Sequence, residues 1–172
     1  SRDWSSDVCS SDLDHERAAA AAALMRFPDL DGVSLLGEAK HLPADLPADP
    51  TLVLLAFRQR QQAQVDRWIA RAAEAPVVEI PCLGRQWRPM RRFIDGGMAS
   101  SIGDPVVLAR TITVYGGVGA LLRAIGADGP AEVQARVVRR DGEILAAASG
   151  EPEGDGWEAV AAALRGRPAP LR

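Results

Sequence analysis

The sequence predicts an α/β sandwich, a central mixed sheet with helices on both faces. Three observations point there. Residues 51–57 read TLVLLAF, a continuous apolar run bounded by proline, as in a strand buried on both faces. The chain then changes to a helical period, with Val65, Trp68, Ile69 and Ala72 on one face and Arg and Gln opposite. The whole order reads strand, helix, strand, inserted helices, strand, helix, hairpin, helix, which calls for a mixed sheet covered on two sides.

The elements follow in turn. FPDLDG at 27–32 leads into 33–36, and the proline-rich LPADLPADP precedes the strand 51–57. The first helix is expected over 58–75, stopped by Pro76. Residues 77–80 (VVEI) form a second strand. A helix starts within 89–93, and Gly96-Gly97 interrupts or ends it. Asp104-Pro105 is a helix start, with Asp as cap and Pro in the first turn. Residues 111–115 (TITVY) alternate and are β-branched, giving a third strand. A short helix over 118–125 closes at Gly126. Strands at 132–139 and 143–148 form a hairpin around Arg140-Asp141-Gly142. A final amphipathic helix spans 157–164, and RGRPAPLR behind it is a loose tail.

The first residues do not fit this scheme. Asp3 to Leu13 (DWSSDVCSSDL) resembles a standard short-read sequencing adapter read in one frame, as occurs in gene models from metagenomic assemblies. Residues 1–24 are therefore expected to be non-native or disordered, with Met25 a candidate initiator. Residues 25–165 are then one domain and 166–172 a tail.

Composition narrows the function classes. The formal net charge is −3, and nothing asks for nucleic acid. No apolar run approaches the roughly 18 residues that span a membrane. The two cysteines are Cys9, in the adapter-like tract, and Cys82, so no disulfide framework is expected and a reducing, cytoplasmic compartment fits. Only His15 and His41 are available, too few for a metal site or histidine catalysis, and no cofactor motif is present. Lys40 is the only lysine among 20 basic residues, a bias suggesting a GC-rich bacterial genome.

FPDLDG, LPADPTLVLLAF, VYGGVGALLRAIGA and VVRRDGEIL, in this order, resemble the successive landmarks of a thioredoxin-like domain of the peroxiredoxin-related kind. The resemblance implies a reactive cysteine just past the strand 51–57, where helix N-terminal amides stabilise a thiolate. The segment instead reads RQRQQAQVDRWIA, with no Cys, Ser or Thr. Gln62 and Val65 stand nearest the usual cysteine pair, and neither can act as a nucleophile. The family's cis-proline slot falls near Val133, while Pro130 lies earlier. The redox activity of the family does not carry over.

Two candidate sites remain. Cys82 follows Ile80-Pro81 at a strand end. It is either a redox or ligand-sensing thiol, lowered in pKa by Arg85 or Arg88, or a small buried hydrophobe. The stretch GRQWRPMRRFIDGGM gathers Arg85, Arg88, Arg91 and Arg92 around Trp87 and Phe93. It reads either as an anion, acidic-partner or membrane-surface site, or as a solvated face with aromatic residues packed inward. The acids of EPEGDG (Glu151, Glu153, Asp155) read as a solvated loop, without the longer ligand pattern of a calcium site.

WRPMRRFIDGGMASSIGDPVVLARTITVY with VVRRDGEIL also resembles the thioredoxin-like family of mitochondrial ATP synthase assembly factors, which lack the redox cysteines and chaperone a membrane subunit. That resemblance implies a non-enzymatic protein that binds another protein, in the cytoplasm or at the inner membrane surface, through Arg85–Phe93. A single-cysteine thiol peroxidase or oxidoreductase using Cys82, and a small-anion binding module at the arginines, stand as alternatives.

Overall fold

The computed structural model describes residues 25–166; the adapter-like segment and the tail from 167 onward lie outside the described residues. Two strands that the sequence did not announce open the fold. β1 (Leu30–Ser34) and β2 (Ala39–Leu42) form an antiparallel hairpin, with Val33 opposite Ala39. Their pattern is weak because two of the buried positions are Gly32 and Ser34. Gly32 is required there: a Cβ would stand 2.5 Å from the Ile112 side chain of the neighbouring strand.

The elements then follow largely as expected. β3 (Thr51–Ala56) leads through a 3₁₀ turn, Gln59–Gln61, into α1 (Gln62–Ala72). Helix α1 ends short of residue 75, where Ala73 turns out with φ 51°. β4 (Val77–Gly84) is followed by a second 3₁₀ turn, Arg85–Met90, then α2 (Arg91–Ile102) and α3 (Pro105–Arg110). β5 (Ile112–Gly116), α4 (Val118–Ala124), β6 (Gln134–Val138), β7 (Ile144–Ser149) and α5 (Gly154–Leu164) complete the described chain.

All seven strands share one sheet in the order β2-β1-β5-β4-β3-β6-β7. β3, β4 and β5 are parallel; the other pairings are antiparallel. Alternate residues of the central strands feed two cores. Val53, Leu55, Val78, Ile80 and Cys82 pack with Phe27 and with Leu121 and Ile125 at α4. Leu52, Leu54 and Val77 pack on the other face with Val65 and Trp68 of α1 and Val160 of α5. The indole Nε1 of the fully buried Trp68 donates to the Gly150 carbonyl at 2.8 Å, joining α1 to the turn after β7.

Three sequence expectations need correction here. β4 does not stop at Ile80 but continues through Pro81 to Gly84. Pro81 is tolerated because it falls where pairing changes hands: Ala56 opposite Pro81 is the last β3 pair, and Cys82 opposite Val114 begins the main β5 ladder. Gly96-Gly97 does not end α2, which runs on to a left-handed Gly103. Each glycine costs a helix about 0.5–1 kcal/mol, and Asp95, fixed from the sheet by Tyr115, helps to hold the helix. EPEGDG is not merely solvated loop: Glu151 accepts from Arg67 Nη2 at 2.6 Å and from Gln64 Nε2 at 3.2 Å, and α5 already begins at Gly154.

Candidate functional site

The end of β3 and the start of α1 is where a reactive cysteine was looked for. Gln61 occupies that turn. Its Oε1 accepts from the backbone N–H of Phe57 at 2.7 Å and of Arg58 at 3.1 Å, and its Nε2 donates to the Pro130 carbonyl at 3.0 Å. One buried amide therefore ties the strand-to-helix turn to the loop ahead of β6. One turn on, Gln64 accepts from the Val133 N–H at 2.7 Å. The glutamines were assigned to the solvent face, yet Gln61 is buried and Gln64 half-buried. Their signal in sequence is that of any surface helix, so only contacts across the fold reveal them. Gln62 is exposed and donates to Asp66, while Val65 lies in the core. The two cis X-Pro bonds described precede Pro43 and Pro50, away from the slot near Val133.

Cys82 is 3% exposed, packed among the apolar side chains of the α4-side core. Its Sγ donates to the Ile80 carbonyl at 3.3 Å, and burial pushes the thiol far above its ordinary 9.0. Arg85 and Arg88 do not lower it. The small buried hydrophobe is the reading that this geometry favours.

The arginine-aromatic stretch lies outside. Arg85, Trp87 and Arg88 sit on the second 3₁₀ turn, and Arg91, Arg92 and Phe93 open α2. The structure keeps all six on one continuous segment and leaves every one exposed. The aromatic residues do not pack inward, which corrects the solvated-face alternative: Trp87 is 47% and Phe93 83% exposed. Among the described residues none of the four arginines forms an ion pair with a carboxylate.

Phe93 of this segment lines a cleft that sequence reasoning missed, and Arg85 and Trp87 line a recess beside it. The cleft has a volume of about 990 Å³ and lies between α1 and the inserted pair α2–α3, on the side of the sheet where Glu79 and Pro81 face out. Ile94, Met98 and Ile102, spaced four apart on α2, line it together with Val107 of α3. At its floor Glu79, 7% exposed, accepts from Arg110 Nε at 3.3 Å. Burial raises the Glu79 carboxyl above its ordinary 4.5, against the opposing pull of Arg110 and Gln62. The i, i+4, i+8 stripe was legible in sequence as an amphipathic face. What it faces was not, because α1 comes from earlier in the chain, with β4 and a 3₁₀ turn between the two helices. A smaller recess of about 490 Å³ adjoins the cleft across Phe57, Arg58 and Leu83 and reaches Trp87 and Pro130.

Chemically the site offers apolar walls, guanidinium forks and one buried ion pair. Among the described residues no group of three His, Cys, Asp or Glu is placed to hold a metal. No described helix is long and apolar enough to cross a membrane.

No protein-family model matches the chain, and no curated protein matches it in sequence. Solved structures do. The thio-disulfide isomerase of Thermus thermophilus is 18% identical, with 86% of this chain and 97% of that one covered at a TM-score of 0.53. The exposed lipoprotein thioredoxin of Streptococcus pneumoniae is 12% identical, with 81% and 99% covered at 0.51. BsSco, a member of the Sco family of cytochrome c oxidase assembly proteins, is 12% identical, with 83% and 92% covered at 0.54. The chain has the thioredoxin-like fold. At these identities the likeness extends to the fold and no further.

Proposed function

We propose that this is a redox-inactive thioredoxin-like protein that binds another protein and serves as a chaperone or assembly factor for a membrane complex such as ATP synthase, working in the cytoplasm or at the inner membrane surface. The observation that carries this reading is the exposed segment. Four arginines without carboxylate partners among the described residues accompany two aromatic side chains exposed to solvent. Exposed aromatic and Arg residues are the groups that dominate binding energy when a partner buries them. Arg85, Arg88, Arg91 and Arg92 supply charge-assisted bonds, and Trp87 and Phe93 are the anchors. The absence of a nucleophile from residues 58–70, with the buried amide of Gln61 at the β3–α1 turn, argues against thiol chemistry there. The Sco-family neighbour is named for assembly of a membrane enzyme, so the fold is compatible with such work.

The test is affinity capture with the full chain as bait from a detergent-solubilised lysate of a GC-rich bacterium, read by mass spectrometry. Subunits of a membrane complex should be recovered, and lost when all four arginines become Ala. Recovery no greater than from a mock bait, or recovery unchanged in the Arg-to-Ala chain, would remove this assignment.

A further inference from the structure

The cleft beside Phe93 has apolar walls and cationic groups of its own. We infer that it receives the apolar side chains of an acidic amphipathic polypeptide segment, whose carboxylates meet Arg58 and Arg110 in the cleft and Arg85 in the adjoining recess. The inference rests on the protein-binding reading above and deepens it.

Four observations lead to this occupant. Ile94, Met98 and Ile102 present a stripe on α2, yet no residue of α2 or α3 is buried. The pair of helices has an apolar face that this chain covers only in part, with Ile94, Met98 and Ile102 half-buried. The charge at the cleft is lopsided in what is left to bond. Glu79 is engaged by Arg110, and Asp66 accepts from Gln62. Arg110 uses only Nε, so its two Nη groups have no hydrogen bond among the described residues. Arg58 lines the opposite wall and Arg85 the adjoining recess, and neither has a carboxylate partner among the described residues.

Size separates a polypeptide from a small amphiphile. Ligand pockets run to about 1,000 Å³ at the upper end. This cleft reaches about 990 Å³ alone and opens into the second recess across Phe57, Arg58 and Leu83. A small carboxylate on Arg110 would leave Phe93, 83% exposed at the rim, in water. A segment with several apolar side chains fills the floor and covers Phe93 together. Charge complementarity with these arginines then sets orientation and speeds encounter.

The probe is a labelled synthetic helix of Leu, Ala and Glu, with Leu at i, i+3, i+4 and i+7, titrated with the full chain by fluorescence anisotropy. Its twin carries Lys for every Glu. The Glu helix should bind and the Lys helix should not. Phe93→Asp, at an exposed position that leaves the core untouched, should weaken binding about tenfold or more. Met98→Asp, checked for native circular dichroism, should do the same from inside the cleft. Equal binding of the Lys helix, wild-type affinity in both variants, or saturable binding of decanoate without binding of the Glu helix would each overturn the inference. The capture experiment keeps the two ideas separate. Capture lost in the Arg-to-Ala chain and in Phe93→Asp but retained in Met98→Asp leaves the docking segment standing and removes the cleft. Capture indifferent to every variant removes both.

Discussion

Tyr115 donates its phenolic hydrogen to Asp95 Oδ1 at 2.8 Å, joining the end of β5 to the first turns of α2. Burial, and then the Asp95 carboxylate, push the phenol above its ordinary 10.0, so it remains a donor across the physiological range. This bond ties the arginine segment to the sheet. No residue of α2 is fully buried, so this bond gives a fixed point to a helix otherwise held by half-buried side chains such as Ile94 and Met98.

Tyr115→Phe should therefore act locally. Global stability should fall by about 1 kcal/mol, the net worth of one hydrogen bond. Amide exchange over residues 91–102 should quicken well before that of β3 or β4. Unchanged protection of α2 in hydrogen-exchange mass spectrometry would show that the bond does not position the helix.

Glu79 gives a pH dependence with a definite sign. Its folded carboxyl binds a proton more tightly than the unfolded one, ordinarily at 4.5, because burial disfavours the charge. The associated stability is full below about pH 4.5 and is lost as the pH rises through the folded value. Glu79→Gln removes this loss. The melting temperature of the variant relative to wild type should be higher at pH 7 than at pH 4. A flat difference would mean that Arg110 balances burial, and one that falls with pH that Arg110 outweighs it.

Arg136 lies 2% exposed and has no carboxylate partner among the described residues. It donates instead to the carbonyls of Ile125, Ala135 and Ala148 and to Gln134 Oε1, at 2.8–3.1 Å. Burial lowers its guanidinium to about 10. The fork joins α4 to the β6–β7 pair, and an ammonium cannot reproduce it. Arg136→Lys should cost about 2–3 kcal/mol in urea unfolding. A cost under roughly 0.5 kcal/mol would mean that the carbonyls accept equally well from another donor.

Cys82 should be nearly inert. In a Cys9→Ser chain, which leaves one thiol, native protein should react with an aromatic disulfide reagent at least about tenfold more slowly than a free model thiol. Full reactivity should return in denaturant. Prompt reaction of the native chain would revive the thiol-peroxidase alternative.

Much of this architecture was legible because local and global signals agree. TLVLLAF reads as a fully buried strand, and β3 is one, paired on both edges. Asp104-Pro105 reads as a helix start, and the Asp104 side chain accepts from the Val106 N–H at 2.9 Å. The β1–β2 hairpin escaped because Gly32 and Ser34, two of its buried residues, carry no apolar pattern. The continuation of β4 escaped because proline usually ends a strand, and only the hand-over between β3 and β5 makes Pro81 tolerable.

By itself the sequence determined the class of fold, the alternation of its elements and the gathering of arginines and aromatics between residues 85 and 93. Period, caps and turns depend on near neighbours, and these are written along the chain. Tertiary structure alone decided which groups face water. It put Cys82 in the core, turned Trp87 and Phe93 outward, drew Gln61 into the β3–α1 turn and opened a cleft between α1 and α2. Burial and contact depend on segments far apart in sequence meeting in space, and no local pattern records what a side chain will find opposite it.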